Sequence, residues 1–285
     1  NINGELFIRD KAKISVFDSG FLLGDGVWEG IRLHHSSLVF IEDHIKRLYA
    51  SARGISLEIP FSKEFIINEI FKTLEKNGMK DDVHIRLVIS RGDKITPYQN
   101  PNANVGPVNF VIIPEYKKTD PTIYEKGITI GRVPNIRPNE HIQDPHFNTL
   151  SKLNCILASI EANKLNYDEG IMNDLNGNIS TCNSTNLFFV KDNVVFTSSG
   201  QYCLNGITRS KIIDLCKKNN IKCYQQDFDF EFIKNCSEAF VTGTFAGVIP
   251  VSNIEHREIE STKDDSFTNN LRRLYNLKIK EYIIR

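Results

Sequence analysis

A chain of 285 residues is long enough for a large hydrophobic core and for one or two domains. Lysine plus arginine and aspartate plus glutamate balance at 35 each, so no bulk field selects nucleic acid or an acidic surface, and a phosphate ligand needs local donors. There is no run of about eighteen apolar residues and no basic-apolar-small leader, which supports neither a membrane span nor a signal peptide.

Ile2 to Phe7 and Ala12 to Phe17 read as strands separated by a turn at Arg9-Asp10. Gly20, Gly24 and Gly26 argue for tight turns or close backbone approach. Val27 to Leu33 and Ser37 to Phe40 predict a hairpin about His35-Ser36. Asp43 is placed to cap a helix in which Ile45, Leu48 and Ala52 recur at helical spacing, ending near Gly54. Ser62 caps a second helix to Asn77, with Phe65, Ile66, Ile70 and Leu74 as its buried stripe and Gly78 as its stop. Asp82 to Ser90 alternates as a strand, with His84, Arg86 and Val88 on one face and Ile85, Leu87 and Ile89 on the other. The Pro-, Asn- and Gly-rich loop from Arg91 to Gly106 is a candidate lid or partner contact. Val108 to Ile113 closes the first half as a strand. The charged stretch from Glu115 to Thr122 then marks a boundary between a domain of residues 1–118 and one of residues 119–285.

In the second half, Gly127 to Arg132 reads as a strand and leads into a polar, proline-rich segment. A helix is expected from Leu150 to Lys164, a strand from Asp168 to Asp174, a turn at Asn176-Gly177 and two short strands before Val190. After a strand from Asn193 to Thr197, a loop feeds a helix with Thr208 as its cap, and N–H groups at such a helix start favour an anion. Ser237 to Val251 holds a strand and a Gly-Thr turn, and LRRLYNLKIKEYI is an amphipathic packing helix. The six cysteines carry no CxxC pair and read as free thiols of a reducing, cytoplasmic compartment. His34 and His35 are adjacent and His141 and His146 lie five apart; neither spacing puts two ligands on one helix face, so no metal site is expected.

Three sets of motifs occur in a fixed order: GDGVWEGIR followed by HIKRL, the central stretch FNTLSKLN to TNLFFV, and LNGITR followed by SEAFVTGT. With them the chain, from about Gly4 to Val251, resembles the fold-type IV pyridoxal-phosphate enzymes, among them branched-chain and D-amino acid aminotransferases and aminodeoxychorismate lyase. The resemblance implies an α+β fold with a small α/β N-terminal domain, a larger barrel-like C-terminal domain, pyridoxal 5'-phosphate in a cleft between them, and a homodimer. It assigns the cofactor phosphate to Arg47, whose guanidinium can make two parallel bonds, and to the turns at Gly206, Ile207, Thr208 and Thr244. Arg32 and Arg86 become candidates for a substrate carboxylate; for Arg86 the competing reading is a pairing with an internal acid.

Two positions depart from the family. Counting back thirteen residues from Glu161 to the family lysine gives Asn148, an amide; the nearest lysine is Lys152, in a Lys-Leu-Asn run that echoes the family's Lys-Ser-Leu-Asn. Lys152 either reaches the cofactor or is a first-turn surface lysine, and sharing a helix face with Ile156 and Ile160 favours its burial. Where the family pairs a glutamate with the ring nitrogen, this chain has Thr181, which cannot hold that nitrogen protonated as a carboxylate does. The expected activity is transamination between a small amino acid, possibly branched-chain, and a 2-oxo acid. The alternatives are a lyase or racemase reaction, or a relative that binds a phosphate ligand without catalysis.

Overall fold

The computed structural model describes residues 1–283. The chain divides into two compact units, residues 1–118 with 147–152, and residues 119–146 with 153–285.

The N-terminal unit contains helix α1 (Ser19–Leu23), strands β1 (Gly26–His34) and β2 (Ser37–Leu38), helices α2 (Ile41–Gly54) and α3 (Lys63–Lys76), and strands β3 (Val83–Ser90) and β4 (Asn109–Tyr116). Its antiparallel sheet runs β2-β1-β3-β4. The period-2 pattern of β3 sets its faces: Val83, Ile85, Leu87 and Ile89 are buried, in one core with Ile31, Ile45, Leu48, Ile66 and Ile70. Burial of these large aliphatic side chains contributes roughly 1.5–3 kcal/mol each.

The two strands expected before Gly20 do not form. Ile2 makes only isolated bridges, Arg9–Lys11 is a short 3-10 turn, and the apolar residues Phe7, Ile8, Ile14 and Val16 stay exposed. Alternation alone cannot make a strand where no neighbouring edge takes up its hydrogen bonds. Helix α2 also differs at its start: Phe40, with a left-handed φ of 53°, is the residue before it, and Asp43 sits inside the first turn rather than capping it. There its charge still favours the N-terminal end of the helix dipole. The 91–106 loop is pinned by buried Lys94, whose ammonium donates to Asn104 Oδ1 at 2.8 Å.

The C-terminal unit contains helix α4 (Thr122–Lys126), strand β5 (Ile128–Ile136), helices α5 (Glu140–Gln143) and α6 (Leu153–Lys164), and strands β6 (Glu169–Asn173), β7 (Ile179–Cys182), β8 (Asn186–Lys191) and β9 (Val194–Thr197). Helix α7 (Ile207–Lys218), strand β10 (Cys223–Gln225), helix α8 (Phe230–Ile233), strands β11 (Glu238–Gly243), β12 (Gly247–Ile254) and β13 (Arg257–Glu258), and helix α9 (Phe267–Ile283) follow. A nine-stranded mixed sheet runs β10-β9-β8-β11-β12-β5-β6-β7, with β13 beside β12. It curls so that its last strand turns directly into β8 through Asn183–Thr185, where Cys182 N–H donates to Thr185 O at 3.0 Å. Among the described residues no helix is long and apolar enough to cross a membrane.

Two differences bear on the site. Helix α6 begins at Leu153, so Lys152 lies before the helix, and Ile156 and Ile160 are 53% and 44% exposed rather than buried. Helix α7 has Gly206, not Thr208, at its N-cap, with no side-chain cap.

Candidate active site

In the N-terminal unit, β1 carries the residues around which the others gather. Glu29 is fully buried, and its carboxylate accepts from Arg47 Nε at 2.8 Å, Arg47 Nη2 at 2.7 Å and His44 Nδ1 at 2.7 Å. Burial pushes the Glu29 carboxyl up, but the Arg47 charge and the Arg47 and His44 hydrogen bonds outweigh it and hold the group below the usual carboxylate range. The fork thus fixes the guanidinium in one orientation. It leaves Nη1 and the second N–H of Nη2, one edge of the guanidinium, as the donors through which Arg47 can meet an anion.

Trp28, next on β1, was not singled out by the motifs. Arg86 on β3 stacks over its indole with Cζ 3.7 Å from the ring centroid, and Lys152 Nζ stands 5.7 Å from the same centroid. Arg86 therefore lies on an aromatic face and, among the described residues, in no ion pair. Arg32, the other expected carboxylate receptor, is engaged: Nη2 donates to Asp82 at 3.0 Å and Nη1 to Lys117 O at 2.6 Å. Burial, then the charges of Arg86, Lys117 and Arg32, push the His84 imidazole down to about 4, so it is neutral at physiological pH.

The stretch Phe147–Lys152 packs along the start of β1. Leu150 N–H donates to Gly26 O at 2.9 Å, Trp28 N–H to Asn148 O at 3.0 Å, and the indole Nε1–H to Thr149 O at 3.1 Å. Asn148 is buried, with Nδ2 donating to Trp28 O at 2.8 Å and its own N–H to Ser51 Oγ at 3.0 Å. Two glycines permit this close approach: a Cβ on Gly26 would stand 2.7 Å from Leu150 Cδ1, and one on Gly54 2.2 Å from the Phe147 ring. Asn148 is thus a fixed structural amide, and Lys152 is the amine its segment presents.

In the C-terminal unit, Thr181 on β7 is buried and its hydroxyl donates to Thr185 O at 2.7 Å. With that proton committed, Thr181 Oγ1 offers only lone pairs to any other group. Thr185 is held in turn by Glu169, which accepts from the Thr185 hydroxyl at 2.7 Å and the Ser184 hydroxyl at 2.6 Å. Burial pushes the Glu169 carboxyl up, against those two hydroxyls.

Asn186 on β8 joins these residues to the two turns. Its Nδ2 donates to Leu204 O at 2.9 Å, and its Oδ1 would lie 2.2 Å from a Cβ on Gly206, so residue 206 has to be glycine. Asn186 is also the register partner of Thr242 on β11, the strand that leads into the turn bearing Thr244. The uncapped start of α7 leaves backbone N–H groups at Ile207 and Thr208 free of a side-chain cap, as an anion-binding turn requires. The Thr208 hydroxyl faces buried Tyr275 at 3.3 Å, so Thr208 offers its N–H rather than its hydroxyl. Burial raises the Tyr275 phenol to about 12.

Sequence reasoning missed Arg137. It is nine-tenths buried, and its Nη1 donates to Asn154 Oδ1 at 3.2 Å and Cys155 Sγ at 3.0 Å, with Nε directed to Tyr202 O at 3.4 Å. Tyr202 O also accepts from Ser180, the neighbour of Thr181. No acid pairs with Arg137 among the described residues, which suits it to a bound anion. Its only sequence signal was a cation inside a proline-rich run without periodicity.

These residues offer guanidinium and backbone N–H donors and one amine, with a hydroxyl rather than a carboxylate at position 181. Residues 26–254 match the model of the amino-transferase class IV family, and the chain belongs to that family. It is 36% identical over 278 residues to branched-chain-amino-acid aminotransferase-like protein 1 of Arabidopsis thaliana, covering 96% of this chain and 49% of that one. The chain thus spans about half the length of that curated relative. It is 33% identical to a putative branched-chain-amino-acid aminotransferase of Methanocaldococcus jannaschii, covering 95% of this chain and 93% of that one. Among solved structures, the branched-chain amino acid aminotransferase of Thermoproteus uzoniensis with norvaline superimposes with a TM-score of 0.88 at 25% identity, covering 98% of this chain and 93% of that one.

Proposed function

We propose that the protein is a pyridoxal-phosphate-dependent aminotransferase that exchanges an amino group between a small, branched-chain amino acid and a 2-oxo acid. The observation that carries this reading is Lys152: its ammonium stands over the Trp28 ring, which Arg86 also contacts, in the segment that bears the family's lysine position. The relatives' names support the substrate class.

When bound, pyridoxal phosphate supplies an electrophilic carbon and an electron-withdrawing ring. The residues that would hold its phosphate, as the family resemblance assigns them, are Arg47 from the one unit and the N–H groups of Ile207 and Thr208 with Thr244 from the other. Arg137 adds a buried positive charge. Lys152 Nζ, in its neutral amine form, would take the proton from the substrate α-carbon and deliver it to the cofactor's carbonyl carbon, since return to the α-carbon would only regenerate or racemise the substrate. Arg86 orients the substrate carboxylate through its forked donors. Thr181 Oγ1, its proton donated to Thr185 O, would offer the ring nitrogen only a neutral acceptor, a weaker partner for a protonated ring than a carboxylate.

Exposed apolar side chains on each unit, Ile8, Val16 and Phe21 on one and Leu153 and Ile156 on the other, favour a homodimer. Six cysteines without a disulfide favour a reducing, cytoplasmic setting. A second reading, a relative that binds phosphorylated ligands without covalent attachment, is favoured by the fixed amide of Asn148 and by Thr181.

One experiment decides between them. Protein purified with added cofactor is scanned for a visible absorption band, reduced with borohydride and peptide-mapped. We expect modification at Lys152, and exchange of amino groups with branched-chain amino acids. An unmodified chain that still binds the cofactor in competition with inorganic phosphate would overturn transamination and leave the second reading.

A further inference from the structure

His34 and His35 have no part in that chemistry, yet the fold brings them together with Asp81. His34 Nδ1 lies 3.0 Å from Asp81 Oδ1, and His35 Nδ1 lies 3.1 Å from Asp81 Oδ2. The imidazole centroids are 4.2 Å apart, and the three donor atoms all fall within 4.8 Å of one another.

Adjacent residues on a strand point to opposite faces, so the hairpin must redirect one of them. It does so through two successive left-handed residues, His35 with φ 46° and Ser36 with φ 60°. The turn is tied to the loop before β3: Ser36 N–H donates to Lys80 O at 2.7 Å, and His35 N–H donates to Asp81 Oδ1 at 3.0 Å. Asp82 N–H donates to the same oxygen at 2.8 Å and fixes the carboxylate plane. The neighbouring fixed charges go elsewhere: Arg32 and Lys118 pair with Asp82, at 3.0 and 3.1 Å. Two imidazoles are therefore the side chains that face Asp81.

We propose that His34, His35 and Asp81 form a binding site for a divalent transition-metal ion of the zinc class. Two imidazole nitrogens and one carboxylate are the donor set that zinc accepts; with bonds of about 2.0–2.1 Å, neighbouring donors around a tetrahedral ion stand about 3.3 Å apart, close to the 3.0 and 3.1 Å from each imidazole to Asp81. Magnesium and calcium, which demand mostly oxygen ligands, do not fit. The His35 side chain is 65% exposed, so an ion has an entry path and water can complete the shell. Such an ion would clamp the β1–β2 turn to the loop that launches β3. Spacing in the chain could not reveal the site, because its carboxylate lies 46 residues beyond His35.

The test uses full-length protein freed of metal by chelator dialysis and titrated calorimetrically with zinc chloride, with cobalt(II) visible absorption as a second readout. We expect one ion per chain, a dissociation constant on the order of micromolar or tighter, and a raised melting temperature with zinc. His35→Asn keeps a residue type that tolerates the left-handed backbone, and Asp81→Asn keeps the shape of the acid. Each should weaken binding by about tenfold or more, while His141→Ala leaves it unchanged. Zinc binding that persists undiminished in both variants, as it would if thiols were the ligands, overturns the site, as does the absence of saturable binding to the unmodified chain.

Discussion

Arginine is held in opposite ways at two places, one in each unit. In the N-terminal unit Arg47 is matched atom for atom by Glu29, and His44 takes up the same carboxylate. In the C-terminal unit Arg137 and Arg209 are buried among neutral acceptors: Arg209 donates to Ser198 O at 2.6 Å, Asn205 Oδ1 at 3.0 Å and Gln225 Oε1 at 3.2 Å. A paired guanidinium contributes orientation and little net charge. An unpaired one leaves a positive field that only an incoming anion cancels. Arg137 and Arg209 thus keep an uncompensated positive charge in the C-terminal unit, while Glu29 holds Arg47 in one orientation.

Breaking the paired side should have the largest effect. Glu29→Gln removes the charge that Arg47 and His44 share and should cost about 3–5 kcal/mol of stability in urea titration. Gly206→Ala forces a Cβ against Asn186 Oδ1; a stability loss of about 1–3 kcal/mol is expected, with weakened cofactor binding measured by fluorescence. The neutral His84 gives a pH signature. Its folded pKa of about 4 lies below the unfolded value, so the unfolded chain binds more protons between about pH 4 and 6.5. Stability should therefore fall as pH drops through that window, by on the order of 1–3 kcal/mol, and His84→Gln should flatten the fall. Arg137→Met sharpens the contrast: without ligand it should be neutral or stabilising in a melting curve, yet it should lose the extra stabilisation that added phosphate gives the parent chain. The smallest effect is expected from Thr181→Val, about 1 kcal/mol for one hydrogen bond, with no new buried charge.

Much of this was legible in the chain. The alternation of residues 83–90 predicted which face of β3 is buried, because a period of two admits one reading when both strand edges are paired. Ala12 to Phe17 shows a similar alternation and forms no strand, because partnering edges are decided by tertiary structure. Ser62 was readable as a cap from its local hydrogen bond to Phe65 N–H; the glycine cap of α7 was not, since Gly206 is selected by the Asn186 side chain approaching from another strand. Lys152 and Asn148 stand out in the sequence as a shifted lysine and a vacated one. That both adjoin Trp28 follows from an extended segment that helical periodicity had folded into α6.

That extended segment has a consequence for how the molecule is made. Residues 147–152 complete the N-terminal unit from the far side of a stretch that belongs to the other unit. A fragment of residues 1–118 would leave the Trp28 amide and the Gly26 carbonyl without their partners and the Phe147 pocket over Gly54 open. On the ribosome, then, the full set of contacts of the first unit exists only once synthesis has passed Lys152. Lys152 ends that segment, so the stretch that brings the amine to Trp28 is the same one that covers the start of β1.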